Sequence, residues 1–154
     1  MRLLTLWIVM IGCTHEAPPP AGDVIFVCEH GAAKSVIASA YFNKLAAERG
    51  LSVRSVARGA DPQAALSVSA VRGLQADGLP PQLAAPRPLA GSELRSSARI
   101  VAFDCRSPGM RPLAAMDACW DDVPTVSEDY GRARDAIRAH VAAMVEDMLA
   151  APRT

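Results

Sequence analysis

A chain of 154 residues that is 51% hydrophobic is long and apolar enough to bury one domain-sized core. Its 16 basic and 16 acidic residues cancel at neutral pH, no basic run occurs, and only 5% of residues are aromatic, which argues against a nucleic-acid partner. The four cysteines, Cys13, Cys28, Cys105 and Cys119, form neither a CxxC pair nor a metal-ligand pattern with the three histidines, so no metal is expected. With this much apolar core, a framework of paired structural disulfides is a weak reading.

Residues 1–13 read as a signal peptide. Arg2 precedes an apolar run from Leu3 to Ile11 that is too short to span a bilayer. Its end, Met10-Ile11-Gly12-Cys13, resembles a bacterial lipobox, which makes Cys13 a lipidation candidate and an anchor without a catalytic role. Residues 14–22, with Pro18-Pro19-Pro20, read as a tether. The expected location is then a membrane-anchored lipoprotein or the periplasm, with membrane contact only through the lipid. If the start of the chain is mis-assigned, the alternative is the cytoplasm.

Residues 23–150 read as a single domain. Val24 to Val27 is a continuous apolar run rich in β-branched residues, the pattern of a central parallel strand. Helical spacing follows over Ser35 to Arg49, with Ile37, Tyr41 and Leu45 on one stripe and Gly50 as a stop. A second strand is expected over Leu51 to Val56, and a loop over Arg58 to Pro62. Asp61 as cap and Pro62 at the first helical position predict a helix running to about Ala76. Gly91-Ser92-Glu93-Leu94 opens a short helix, Ile100 to Phe103 is a third buried strand, and Ala118-Cys119-Trp120 a short fourth. Ser127 is the expected cap of a last helix whose stripe is Tyr130, Ala133, Ile137, Val141, Met144 and Met148. Strands alternating with helices imply an α/β fold: a four-stranded parallel sheet, doubly wound, with a phosphate loop after the first strand. Ligands of such sheets sit beyond the carboxyl ends of the strands, which is where Cys28, Cys105 and Asp121-Asp122 fall.

The segment Cys28-Glu29-His30-Gly31-Ala32-Ala33-Lys34-Ser35 joins the first strand to the first helix. A loop entering a helix offers backbone N–H groups and the positive end of the helix dipole, which suit an oxyanion and favour a thiolate. Gly31 can take positive φ and lets the backbone curl around a ligand. Lys34 supplies a cation and Ser35 a hydroxyl for the thiolate. Within the cradle, His30 either supports the thiolate or faces solvent, and Glu29 is expected to point outward because it would repel an anion.

This segment, with Val27-Cys28, five residues, a cation and Ser35, resembles the phosphate loop of the low-molecular-weight protein tyrosine phosphatases and the related thioredoxin-linked arsenate reductases. The resemblance runs from about Asp23 to Leu149. It implies that Cys28 is the nucleophile and that the amides of residues 29–35, with Lys34, hold the oxyanion. It also implies that an aspartate after the fourth strand, Asp122 or else Asp121, protonates the leaving oxygen. Cys105 stands where the reductases place a resolving cysteine, and Cys119 is a second redox candidate or a core residue. Neither activity requires a cofactor. The chain departs from the family pattern in having Lys34 for Arg, Gly31 for Asn, and Val123 between the aspartates and Pro124; the phosphatases' tyrosine pair after that proline is absent.

Three readings follow. The first is a cysteine-dependent phosphatase acting on phosphate esters, including those of a phosphoprotein. The second is an arsenate reductase that uses Cys28, Cys105 and an external thiol reductant. The third is a non-catalytic oxyanion-binding module, suggested by Lys34.

Overall fold

The computed structural model describes residues 22–110 and 116–151; the expected signal peptide, Cys13 and almost all of the tether lie outside them. Its strands are β1 (Val24–Cys28), β2 (Ser55–Gly59), β3 (Arg99–Phe103) and β4 (Ala118–Trp120). The helices are α1 (Lys34–Glu48), α2 (Val68–Ala76), α3 (Glu93–Ser96) and α4 (Tyr130–Ala150). All strand pairs are parallel, in the order β2-β1-β3-β4. This is the expected α/β architecture. β1 lies at its centre, and every one of its five residues is buried.

Alternate residues of β1 feed two cores, as the two-residue period of a strand requires. Val24, Phe26 and Cys28 face α1, α2 and α4, packing with Phe42, Leu74 and Ile137. Ile25 and Val27 face the opposite side with Ile100, Ala102 and Met110, where α3 contributes Leu94. The three long helices thus cover one face, and the other is closed by α3, connecting segments and a 3-10 turn at Pro108–Met110. No helix among the described residues is long and apolar enough to cross a membrane.

Three boundaries differ from the sequence reading. The second strand begins at Ser55 rather than Leu51, because Leu51 belongs to the end of α1: its N–H donates to Ala46 and that of Gly50 (φ 72°) to Ala47. That 6→1 and 5→2 pairing is a Schellman cap, and it holds the chain out of the sheet for several residues. The second long helix begins at Val68 rather than after Asp61-Pro62, with Ser67 as its cap. The N–H groups of Ala60, Asp61, Gln63 and Ser67 are committed to carbonyls of the Cys28 loop, so this segment stays out of a helix. The last helix is capped by Asp129, whose side chain accepts from the Arg132 N–H, two residues beyond the expected Ser127.

A polar knot ties the helical layer together. Tyr41 of α1 and Tyr130 of α4 both donate to Oδ2 of Asp77, at the C-terminal end of α2, at 2.7 and 2.6 Å. Arg134 reaches its Oδ1 at 3.3 Å. Gly73 is required beside it, since a Cβ there would lie 2.3 Å from the Tyr130 ring.

Candidate active site

Cys28 ends β1 in register with Gly59 of β2, and the loop 29–33 then turns into α1. Gly31 adopts φ 63° and packs directly on Gly59: a Cβ on Gly31 would fall 2.7 Å from the Gly59 nitrogen, and one on Gly59 2.9 Å from the Gly31 nitrogen. Two facing glycines let the loop lie against the end of β2.

The loop's hydrogen bonds have one sense. Carbonyls of Cys28, Glu29, His30 and Ala32 accept from the N–H groups of Ala60, Asp61, Gln63 and Ser67 at 2.7–3.3 Å, and that of Ala33 accepts from Ile37. Among the described residues, no backbone N–H from Glu29 to Lys34 donates to a protein acceptor. The carbonyls are spoken for and the amides unspent at the start of a fifteen-residue helix, an arrangement with the chemistry to receive an anion. Cys28 is 7% exposed and its Sγ lies 3.2 Å from Oγ of Ser35, itself fully buried. Cys28 is a free thiol.

A cavity of about 450 Å³ opens over this loop. Loop residues Cys28, Glu29, His30, Ala32, Ala33 and Lys34 form its floor, and Gln63, Ser67, Asp104, Thr125, Val126 and Ser127 its walls. Lys34 Nζ donates to both carboxylate oxygens of Asp104, at 2.7 and 2.8 Å, and to the Val123 carbonyl at 2.8 Å. All three of its protons are therefore engaged within the protein. Asp104 follows β3 and is the one non-glycine described residue with positive φ, 52°. Left-handed backbone of this kind is tolerated best by Asp and Asn among side-chain-bearing residues, and here it accompanies a carboxylate on the cavity wall.

Glu29 lines the cavity, but its carboxylate accepts from Ser107 at 3.0 Å and its side chain lies over Gly109. His30 Nδ1 is 3.2 Å from the Asp61 carbonyl. A carbonyl only accepts, so this nitrogen carries the proton.

Asp121 and Asp122 lie elsewhere. Oδ1 of Asp121 accepts from the Cys105 N–H at 2.8 Å, with Arg106 Nε 3.6 Å from Oδ2. Asp122 is 65% exposed and pairs with His140 Nε2 at 2.8 Å; that hydrogen bond outweighs desolvation and holds its carboxyl below the usual range. His140 stacks in turn on Trp120 at 4.7 Å. Neither aspartate lines the Cys28 cavity. Besides Glu29, the carboxylate residue that does is Asp104, which sequence reasoning passed over. Its signal was an acidic residue at the carboxyl end of an apolar strand, masked by the neighbouring Cys105.

Cys105 and Cys119 are joined in a disulfide, Cα to Cα 6.2 Å, against the expectation that paired disulfides were a weak reading. The physical reason is the β3–β4 register: Ala102 stands opposite Cys119, and the chain turns back at Asp104-Cys105 to meet it. Cys119 is exposed and Cys105 partly so. Their sulfurs and an Asp121 oxygen lie within 4.8 Å of one another, a set that could offer two thiolates and a carboxylate to a metal only after the disulfide is reduced.

Residues 23–120 match the family model described as low molecular weight phosphotyrosine protein phosphatase. No curated protein matches the chain. Among solved structures it is similar to the YwlE mutant from Bacillus subtilis, with TM-score 0.69 and 18% identity over 83% of this chain and 99% of that one. It is also similar to the thioredoxin-dependent arsenate reductase of Corynebacterium glutamicum, with TM-score 0.66 and 22% identity over 86% of this chain but 64% of that one. A third is a low molecular weight phosphotyrosine phosphatase from Vibrio cholerae, with TM-score 0.69 and 16% identity over 83% of this chain and 97% of that one. At these identities the structures share the fold. Phosphatases and arsenate reductases are both represented, and nothing among them supports the non-catalytic module.

Proposed function

Because this chain belongs to the low molecular weight phosphotyrosine protein phosphatase family, we propose that it is a phosphoric monoester hydrolase with Cys28 as nucleophile. The observation that carries this reading is the one-sided hydrogen bonding of the loop that follows Cys28, whose carbonyls are taken by the 60–67 segment while its amides are left without a protein acceptor among the described residues. Those amides stabilise the thiolate and then the equatorial oxygens of the phosphoryl group in transfer. The Cys28 thiolate attacks phosphorus, forming an S–P bond as the bond to the ester oxygen breaks. Asp104, the carboxyl group on the cavity wall, gives its proton to that oxygen. Water then attacks phosphorus, releasing phosphate and the thiolate, and its proton returns to Asp104.

Hydrolysis of para-nitrophenyl phosphate by the domain, with Cys28→Ser as control, tests the proposal. Activity lost in the variant supports it; equal activity in both proteins sinks it.

One observation favours arsenate reduction as a second reading: the accessible Cys105–Cys119 disulfide beside Asp104. In that scheme the Cys28 thiolate attacks arsenic(V), forming an S–As bond as one arsenate oxygen is protonated and leaves as water. The Cys105 thiol then forms a disulfide with Cys28 as arsenic(V) leaves as arsenic(III), and Cys119 exchanges onto Cys105. The resulting pair must be reduced by an external dithiol. Arsenate-dependent consumption of thiol, lost in Cys105→Ser, is the test. Taken instead as a permanent structural bond, the same disulfide suits an oxidising compartment, which favours the lipoprotein reading of Cys13 over a cytoplasmic location and counts against the reductase. Fatty-acid labelling abolished by Cys13→Ala would establish the anchor; labelling that persists in the variant would rule it out.

A further inference from the structure

The Cys28 cavity does not end at its rim. Val126 and Ser127 also line a second depression of about 310 Å³, walled by Val68, Arg72 and Gly73 of α2 and by Tyr130 of α4. Two side chains on its wall are open to solvent. Val68 is 69% exposed, the one large hydrophobic side chain among the described residues that is left exposed. Arg72 is exposed on the groove wall, and its guanidinium enters no ion pair or side-chain hydrogen bond among the described residues, so its charge is open to a ligand there.

From this continuity we propose that the groove is a subsite for the polypeptide flanking a phosphorylated side chain. The substrate class is a phosphoprotein with an apolar residue next to the phosphorylated one and an acidic residue further along. The inference rests on the phosphatase reading and specifies its substrate. Val68 adjoins Ser67, a wall residue of the Cys28 cavity, so the apolar position is the nearer one. Arg72 lies one turn on, about 6 Å along the axis, which an extended peptide covers in about two residues. A small free anion would leave this surface unused. A peptide seated in the groove would cover Val68 and set an acidic side chain against Arg72.

The probes are two phosphotyrosine peptides with leucine on either side of the phosphotyrosine and, two residues further out, glutamate in one and lysine in the other. Wild-type protein is expected to favour the glutamate peptide in kcat/KM by about three- to fivefold, the range of an exposed ion pair, and the preference should shrink at high salt. Arg72→Glu should reverse it. Val68→Asp should weaken both peptides, while para-nitrophenyl phosphate hydrolysis stays unchanged in both variants. Binding of the same peptides to the Cys28→Ser protein, read by fluorescence anisotropy, should show the same order. Equal treatment of the two peptides, in turnover or in binding, overturns the subsite. If no ester is hydrolysed but the Cys28→Ser protein still prefers the glutamate peptide, the subsite stands and the hydrolase reading falls.

Discussion

Replacing Asp104 by Asn tests the proposed chemistry because it separates its observed pairing with Lys34 from its proposed role as general acid. Asp104 holds two of the three Lys34 protons, so an incoming oxyanion meets a cation that is already neutralised. Removing the negative charge while keeping the shape leaves Lys34 with the amide oxygen and the Val123 carbonyl, and its charge free to act on the ligand. Asp104 is 45% exposed, so its repulsion of a bound dianion is well screened. Two charges against one at about 6 Å in a water-like dielectric give roughly 1.4 kcal/mol, and salt lowers this to about 1 kcal/mol, or about fivefold in affinity. Inorganic phosphate should therefore inhibit Asp104→Asn about fivefold more strongly than wild type. If Asp104 is the general acid, as proposed, its loss should cut kcat by about a hundredfold for an ester with a poor leaving group. The loss should be greatest for phenyl phosphate, a poor leaving group, and small for para-nitrophenyl phosphate. Steady-state kinetics on both esters, with phosphate inhibition constants, read the two effects separately. If Asp122→Asn rather than Asp104→Asn shows the leaving-group-dependent loss, the assignment of the acid is refuted. If phosphate affinity does not move, the neutralised-cation argument is refuted.

Three further outcomes are expected. Lys34→Arg should raise phosphate affinity and any hydrolysis rate, because a guanidinium can keep Asp104 and still offer N–H groups in a fork to the anion; phosphate inhibition and kcat/KM check this. The Asp77 knot makes stability pH-dependent at both extremes. Burial, with the hydrogen bond to Asp77 and its charge, pushes Tyr41 up to about 12 and Tyr130 higher, so their contribution is full below about pH 10 and is lost as pH rises toward 12. Burial alone would raise the Asp77 carboxyl, but the two tyrosine hydroxyls and Arg134 hold it below the usual range, so its contribution is full above about pH 4 and is lost in acid. Tm measured against pH should show both limbs, and Tyr41→Phe with Tyr130→Phe should flatten the alkaline one. Finally, Cys105–Cys119 closes a loop of sequence separation 14, for which chain entropy predicts about 3 kcal/mol. Urea denaturation with and without a thiol reductant should show a midpoint shift that Cys119→Ser abolishes.

Much of this protein was determined by local sequence. The apolar runs at 24–27 and 100–103 and the alternation of strands with helices gave the parallel sheet, because burial on both faces needs continuous hydrophobicity. The placement of Cys28 before small residues, a cation and Ser35 marked the cradle for the same kind of reason: a loop entering a helix has unspent N–H groups wherever it occurs. Boundaries were less legible where distant segments competed for backbone groups. Asp61-Pro62 has the chemistry of a helix start, yet the N–H groups nearby are taken by loop carbonyls some thirty residues earlier, a contact with no local signature. The same holds for the charged groups of the site. Asp121 and Asp122 stand after a strand end, as a general acid should, but the register of β3 on β4 and the approach of α4 give them to Cys105, Arg106 and His140. Lys34 is legible as a cation at the cradle, but that its charge is already met by Asp104, seventy residues away, was decided by tertiary structure alone. Side-chain direction beyond a strand end depends on which neighbouring strand and helix crowd it, and a single stretch of sequence does not contain them.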